Sequence, residues 1–482
     1  MNNETELKLE LASDDRAALV QSAILPGAPR RLHLRTVYFD TPKRHLWRAG
    51  VTLRIRHSGG KRIQTVKAAG SGAAGVFVRT EWERPVTCDW PIPDETAELK
   101  ALLADYWHDV APAFEVRVER LVWDVKWEKS QIEAAIDTGE IIAGERRSDI
   151  CELELELKAG KPVALFTLAR CIDAVAAVRI GVLDKPERGF RLIGPLASHW
   201  KDEAVVLPEA CTHAAAFKVI AQSCIRQFRL NEPLIGRPHP EALHQARVGL
   251  RRLRSAFSVF GRYFTDAEFK RLASEVKWLA NVLGPVRDLD VIAAGNDLDD
   301  ADRRRLNKAL DAGYLKAAND LGSARARAVM LDLCAWMVLE NGDARGNVAP
   351  LHDVRDFAVE TLNRYRRKVR KRGKRLVDLD HGARHELRKD ARKLRHSADF
   401  FVSLFPGRKK RKRAQRFIRS LNTLQDQLGR LNDLAAGPDA LKAAGLAEVA
   451  TRREYDEVQR REWLEEAAGT YDVVIGMKPF WH

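Results

Sequence analysis

Closely spaced cysteines are missing from this chain. Its six cysteines, at positions 88, 151, 171, 211, 224 and 334, are scattered through 482 residues and form no CxxC. That spacing argues against a disulfide framework and against a thiolate zinc site, and for reduced thiols in a cytoplasmic protein. Long apolar runs are missing too: the most apolar stretch, Val163 to Leu183, is broken by Arg170, Asp173 and Arg179. No membrane span or signal peptide is therefore expected, and the chain reads as soluble. A GxxxxGK[ST] loop is also absent, which sets aside a P-loop nucleotide site. What the chain does have is charge. The net charge is +15, yet residues 1–200 carry 29 basic and 29 acidic residues, so the whole excess lies beyond them. Such asymmetry implies two domains with different partners, the second suited to a polyanion.

In the balanced half, Glu4-Thr5-Glu6-Leu7-Lys8 sets the pattern. Alternate residues of a strand share a face, so Glu4, Glu6 and Lys8 line one side and Leu7 and Leu9 the other. Taken alone, the pentapeptide reads equally well as a solvated strand edge. Cys151–Lys158 repeats the pattern, with Glu152, Glu154 and Glu156 opposite three leucines. Two strands that are acidic on one side and apolar on the other fit the walls of a closed β structure with a charged lumen. Between them lie further strand-like runs. Arg54 and Arg56 share a face of Thr52–Arg56, and Gly59-Gly60 marks a hairpin into Arg62–Lys67. Asp137-Thr138-Gly139-Glu140 reads as a turn, and helical patterns cover Ser13–Ile24, Glu95–Trp107 and Ala164–Val178. Facing arginines and lysines bind phosphate oxygens, and clustered glutamates hold a hard divalent cation. Together these suit metal-assisted phosphoryl transfer to water.

These residues resemble the CYTH superfamily, the triphosphate tunnel metalloenzymes. The likeness rests on Glu4-x-Glu6-x-Lys8, Leu53-Arg54-Ile55-Arg56, Lys67, Arg120, Asp137-Thr138-Gly139-Glu140, the late acidic strand and Lys185-Pro-Glu-Arg188. It implies an eight-stranded antiparallel tunnel that hydrolyses a triphosphate with Mg²⁺ or Mn²⁺. By position, Glu4, Glu6, Asp137, Glu154 and Glu156 would hold metal, and Arg54, Arg56, Lys67, Arg120, Lys185 and Arg188 would clamp phosphates. Lys8, with Glu4 and Glu6 beside it, would act at the reacting centre, orienting substrate or the attacking water. Triphosphatases, adenylate cyclases and thiamine triphosphatases share this motif.

After residues 201–208 the pattern becomes helical, with 3.6-residue periodicity over Ala242–Tyr263, Asp266–Leu283, Asp302–Leu321, Val354–Arg372, Gly382–Phe405 and Arg411–Leu434. An internal duplication is visible. His244, Arg247, Arg251 and Arg254 recur as His385, Arg388, Arg392 and Arg395 at an offset of 141, and Asp288 is answered by Asp433. At 100° per residue each quartet falls within a stripe about 80° wide and about 15 Å long. Two such stripes facing one another would line a channel for a linear polyanion. Base readout of DNA calls for Asn or Gln on a protruding element, so nucleic acid is not the expected specific partner. One histidine among arginines on each helix is also poor metal-ligand geometry. The second half resembles the CHAD domain, a helical module of conserved histidines. That likeness implies long-chain polyphosphate binding by these eight residues and association with polyphosphate granules.

The expectation is a multi-domain α+β chain. A tunnel domain over 1–203, with flanking helices, precedes an all-α domain over 211–482 built of two related bundles. The enzymatic expectation is an inorganic triphosphatase like those of bacteria that join these two modules. A non-catalytic polyphosphate-binding protein, or a cyclase or nucleoside triphosphatase of the same superfamily, is the alternative.

Overall fold

The computed structural model describes residues 4–68, 71–73, 75–79, 81–93, 106–195, 197–295, 298–339, 353–452 and 457–482. The chain forms two compact units, Met1–Ser198 with Ser323–Leu339, and His199–Gly322 with Glu340–His482.

The first unit is built on one antiparallel sheet. Its strands are β1 (Glu4–Leu11), β2 (Arg30–Asp40), β3 (Val51–Ser58), β4 (Lys61–Ala68), β5 (Ser71–Ala73), β6 (Val76–Arg79), β7 (Glu81–Pro85), β8 (Ala111–Trp127), β9 (Ser130–Ala143), β10 (Arg146–Ala159) and β11 (Val178–Ile180). They are ordered β5-β6-β1-β10-β9-β8-β2-β3-β4-β7, with β11 against β1. Among the described residues that makes eleven strands where eight were expected. Three of them (β5, β6 and β11) are only three or four residues long. Among the described residues no ladder joins β7 back to β5 or β6, so the sheet is not closed by hydrogen bonds there.

The alternation read in the sequence decides what each face does. Leu7, Leu9, Leu153 and Leu155 are fully buried on the outer face, each contributing on the order of 2 kcal/mol. The register sets Glu6 opposite Glu156, Lys8 opposite Glu154 and Glu10 opposite Glu152. Helix Val163–Asp173 packs on β10 and β11 through Leu165, Phe166, Leu168 and Ile172. Against that helix lies Ala324–Leu339, apolar on nearly every side, which the sequence supplies from far along the second half. Arg170–Asp332 at 2.8 Å and Arg327–Asp173 at 2.6 Å tie the two helices together.

The hairpin at Gly59-Gly60 forms as expected, both glycines having positive φ (55° and 79°). The turn expected at 137–140 does not form, because β9 runs unbroken through it. Gly139 serves a different need: a Cβ there would lie 2.0 Å from the Arg117 carbonyl oxygen of β8. Glycine is required for close approach of the strands rather than for a bend. The helix expected over Glu95–Trp107 falls largely on residues 94–105, outside the described residues.

The second unit is helical among its described residues, and the duplication is visible in its element boundaries. Helices His213–Asn231 and Pro240–Phe260 recur as Val354–Arg372 and His381–Phe401, both starts 141 residues later. The next pair differs. Ala267–Val282 and Gly284–Ala293 are separate helices in the first copy, whereas Arg408–Ala443 is continuous in the second. The break coincides with Pro285 in the first turn of the second helix, where the second copy has Arg430, although the continuous helix carries Pro438 further along. Ser255 and His396, themselves 141 residues apart, meet at 2.8 Å in the buried seam between the copies. A residue can touch its own repeat-mate only near the axis that relates the two halves. No described helix is long and apolar enough to cross a membrane.

Candidate active site and a cationic helix pair

Inside the first unit, a cavity of about 250 Å³ is lined by Glu6 and Lys8 from β1, Tyr38 from β2, and Thr52, Arg54 and Arg56 from β3. Lys67 from β4, Glu83 from β7, Arg120 from β8, Glu133 from β9, and Glu154 and Glu156 from β10 complete its walls. Eight of the sheet's strands thus contribute to its walls. Asp184, Lys185 and Pro186 add the first turn of helix Lys185–Ile193. Asp184 caps that helix by accepting from the Glu187 N–H at 2.7 Å, which fixes Lys185 at the cavity.

The charges on the β10 side interlock. Lys8 Nζ lies 3.0 Å from Glu152 Oε1 and 2.9 Å from Glu154 Oε1. Lys185 Nζ reaches Asp137 at 2.6 Å, Glu152 at 2.5 Å and Glu154 at 2.7 Å. Arg120 forks onto Asp137 through Nε at 2.7 Å and Nη2 at 2.6 Å, and Nη2 also meets Glu154 at 2.5 Å. Burial alone would push these carboxyls up. Lys185 foremost, then Lys8 and Arg120, instead holds Glu154 well below the usual carboxylate range, and Asp137 is lowered likewise. Glu6 moves the other way, to about 7, because of burial and then the neighbouring charge of Glu154.

The opposite wall is mainly cationic, with Arg54, Arg56 and Lys67 beside Glu83. Arg54 is only 7% exposed. The Arg56 Nε is buried without a hydrogen-bond partner among the described residues, and the charge of Arg54 together with burial lowers the Arg56 guanidinium to about 10. Cations crowded together on one wall suit an anion.

Most of the residues singled out in the sequence converge here. The side chain of Glu4 is outside the described residues. Asp137 is fully buried behind Arg120 and Lys185 and does not line the cavity. Arg188 was expected to clamp phosphate, but it is not in the lining. It bonds to Ser148 Oγ at 3.2 Å and to the Asp149 carbonyl, and lies 3.7 Å from Glu152, fastening its helix to β10. Sequence reasoning missed Tyr38, Glu83, Glu133 and the neutralising role of Glu152. Alternation through β9 (Glu133, Ala135, Asp137) and β7 (Glu81, Glu83) carried that signal.

Two acid groups are candidates for a divalent cation. Asp137, Glu152 and Glu154 offer oxygens within 4.8 Å of one another, but Lys8, Lys185 and Arg120 already neutralise them. Glu6 and Glu156 face each other across β1 and β10, with Glu133 beside Glu156 on β9. There Glu6 is raised by burial and then by Glu154, while Lys158 lies 2.6 Å from Glu156 and 3.8 Å from Glu133 at the edge of the set. That oxygen-only set suits Mg²⁺ or Mn²⁺.

In the helical unit the two stripes meet. The Arg251 guanidinium is pushed well below its ordinary value by burial and then by Arg392, with Arg247, Arg388 and Arg395 adding to the effect. Arg392 is lowered to about 9 by burial, Arg388, Arg247, Arg254 and Arg395. His244 falls to about 4 through burial and Arg287, Arg251 and Arg247. Asp288 and Asp433 flank Arg247 and Arg388 from either copy. His385 bonds Asn432 at 3.1 Å, a contact made by the residue that replaces Arg287 of the first copy. Arg395 Nη1 donates to Asn422 Oδ1 at 2.9 Å.

The fold and these sites define an antiparallel sheet around a charged cavity in the first unit and a duplicated helical module in the second. Residues 2–190 match the CYTH domain family and residues 219–442 the CHAD domain family, so the chain carries a CYTH domain followed by a CHAD domain. The inorganic triphosphatase of Haemophilus influenzae is 30% identical over 200 residues, which are 40% of this chain and 55% of that protein. The chain therefore spans about half the length of this curated relative. Among solved structures, the CHAD domain of Ricinus communis aligns at 27% identity over 58% of this chain and 92% of its own, with a TM-score of 0.46. A Hippeastrum protein described as an adenylyl cyclase with a dominant triphosphatase activity aligns at 18% identity over 39% of this chain and 94% of its own, with a TM-score of 0.30.

Proposed function

We propose that the tunnel hydrolyses inorganic triphosphate with the help of Mg²⁺ or Mn²⁺. On this reading the helical unit binds long-chain polyphosphate and holds the protein on cytoplasmic polyphosphate granules. The observation that carries the proposal is the division of one small cavity into a cationic wall (Arg54, Arg56, Lys67) and an acidic row (Glu6, Glu133, Glu154, Glu156). The cationic wall, with Arg120 and Lys185, takes the phosphate oxygens. Glu6 and Glu156, with Glu154 and, by the sequence reading, Glu4, would hold the cation, which when bound would offset phosphoryl charge and activate water. Lys8, locked between Glu152 and Glu154, presents a fixed ammonium toward the reacting phosphoryl group or the attacking water. At about 250 Å³ the cavity is smaller than most organic-ligand pockets, which favours a bare triphosphate over a nucleotide. The paired arginine stripes support the polyphosphate half of the proposal.

The test is phosphate release from tripolyphosphate, ATP and thiamine triphosphate, with Mg²⁺, Mn²⁺ or chelator. Tripolyphosphate is expected to be the best substrate, Glu6→Ala to abolish turnover, and Arg56→Met to raise KM at least tenfold with folding intact. No release from tripolyphosphate with either metal, or preferential conversion of ATP to cyclic AMP, would overturn the proposal.

A further inference from the structure

The basic run at the start of helix Arg408–Ala443 is not explained by either site. Helix N-termini favour acidic side chains, yet this one begins Arg408-Lys409-Lys410-Arg411-Lys412-Arg413, with no acid in its first turn and no side-chain cap. Among the described residues none of these side chains, nor Arg416 or Arg419, makes an ion pair. A run of like charge costs stability through repulsion, and here nothing internal offsets it.

The helix connects this run to the arginine stripes. Asn422 accepts from Arg395, so the Asn422 face of the helix meets the end of the second stripe. At 100° per residue, Arg408, Arg411, Lys412 and Arg419 all fall within about 80° of Asn422. Lys409, Lys410 and Arg413 fall about 120° or more away. The intervening Ala414, Phe417, Leu421 and Leu424 are buried, while Arg408, Arg411, Lys412 and Arg419 are exposed. From Asn422 back to Arg408 the helix rises about 20 Å, added to the stripe's own 15 Å or so.

We infer that Arg408, Arg411, Lys412 and Arg419 form a second contact for a long linear polyanion, continuing the track that leaves the paired stripes at Arg395. This rests on the polyphosphate reading of the helical unit and adds to it a dependence on chain length. The ligand is polyphosphate rather than single-stranded nucleic acid, because strand binding of that kind relies on aromatic stacking. The one aromatic residue of this segment, Phe417, is buried in the core. Two linked contacts raise affinity through effective concentration, but only for a chain long enough to reach both.

The experiment measures binding of tripolyphosphate and of short and long polyphosphate chains to the full-length protein, across a salt series. It compares the wild type, the quadruple variant Arg408→Ala/Arg411→Ala/Lys412→Ala/Arg419→Ala, and the off-face variant Lys409→Ala/Lys410→Ala/Arg413→Ala. The quadruple variant is expected to lose at least about tenfold in long-chain affinity, with a salt slope shallower by about 3 and short-chain binding unchanged. The off-face variant should bind long chains as the wild type does. Equal losses in the two variants, an equal loss for short and long chains, or unchanged long-chain affinity would each overturn the second contact. Tighter binding of single-stranded RNA through the same residues would overturn the ligand class. Failure of the wild type to bind any polyphosphate would instead overturn the underlying reading.

Discussion

Replacing Asp137 by asparagine should unfold the tunnel unit at markedly lower temperature while changing its shape by one atom. The carboxylate is fully buried and holds Arg120 through two bonds, of 2.7 and 2.6 Å, and Lys185 through a third of 2.6 Å. The amide retains one acceptor and removes the charge, leaving two buried cations to share Glu152 and Glu154. Removing one partner of a buried ion pair costs about 3–5 kcal/mol, and the remaining acids place this case near the lower end. For a unit of this size about 3 kcal/mol corresponds to a fall of roughly 6–12 °C in Tm. Scanning calorimetry of the full chain measures it as a shift of one transition, the helical unit providing the internal reference. Glu140→Gln, which breaks an exposed pair with Arg147, serves as a control that should move Tm by less than about 3 °C. The pH dependence checks the cause. Because the folded-state pKa of Asp137 lies below its ordinary value, its contribution is present above about pH 4 and is lost as pH falls through the folded value. The difference between wild type and variant should therefore be full at pH 7 and narrow in acid. A Tm change under about 2 °C at pH 7 would show that the Lys185–Asp137–Arg120 network does not hold the unit together, and the reasoning would fail.

Gly139→Ala should be at least as damaging, costing more than about 3 kcal/mol, because its Cβ must displace the backbone of β8 rather than a side chain; soluble yield and the same calorimetric transition measure it, and a neutral result would refute the close-approach argument. His244, held near pKa 4 in the free protein, contributes stability above about pH 6.5 that is lost as pH falls toward 4. A polyanion along the stripe offsets the surrounding arginines and raises that pKa, so polyphosphate affinity should increase from pH 7 to pH 5. Calorimetric titration should find a flatter pH profile for His244→Gln, and an unchanged profile would remove His244 from the contact.

Glu6, Lys8, Arg54, Arg56, Glu154 and Glu156 were legible in the sequence because a strand has period two and the apolar partner residues alternate with them. Once Leu7 and Leu155 are assigned to an outer core, the charged positions have only the interior left. Asp137 and Glu152 show the limit of that logic. Alternation put Glu152 on the lumen side and the family resemblance put Asp137 among the metal ligands, but neither speaks of depth, and only the arrangement of Lys8, Lys185 and Arg120 shows that these acids are consumed by internal pairing. Arg188 shows another limit: three residues along a helix from Lys185, it points to β10 instead of the cavity, a direction fixed by tertiary packing. The segment 137–140 misled because Asp, Thr and Gly together favour turns, whereas the need for closeness between β8 and β9 lies in a strand distant in sequence. Helix Ala324–Leu339 was unreadable for the same reason, since no local pattern tells an apolar helix which core it will enter.

Both units are left with like charges crowded together, and the two cases differ in a way that bears on function. In the first unit, acids outnumber bases along β10 and are nearly neutralised, while Arg54 and Arg56 repel each other side by side on β3. In the helical unit, Arg251 and Arg392 repel each other across the seam between the copies, with Asp288 and Asp433 reaching only the Arg247–Arg388 end. Repulsion of this kind is selected against in a protein that has only to stay folded, because an apolar residue at any of these positions would relieve it. The proposed function answers both cases with one class of ligand, an anion carrying its charge along a line. On that proposal the cavity of about 250 Å³ would admit only a few phosphates in the first unit, whereas the helix faces of the second would take a longer chain.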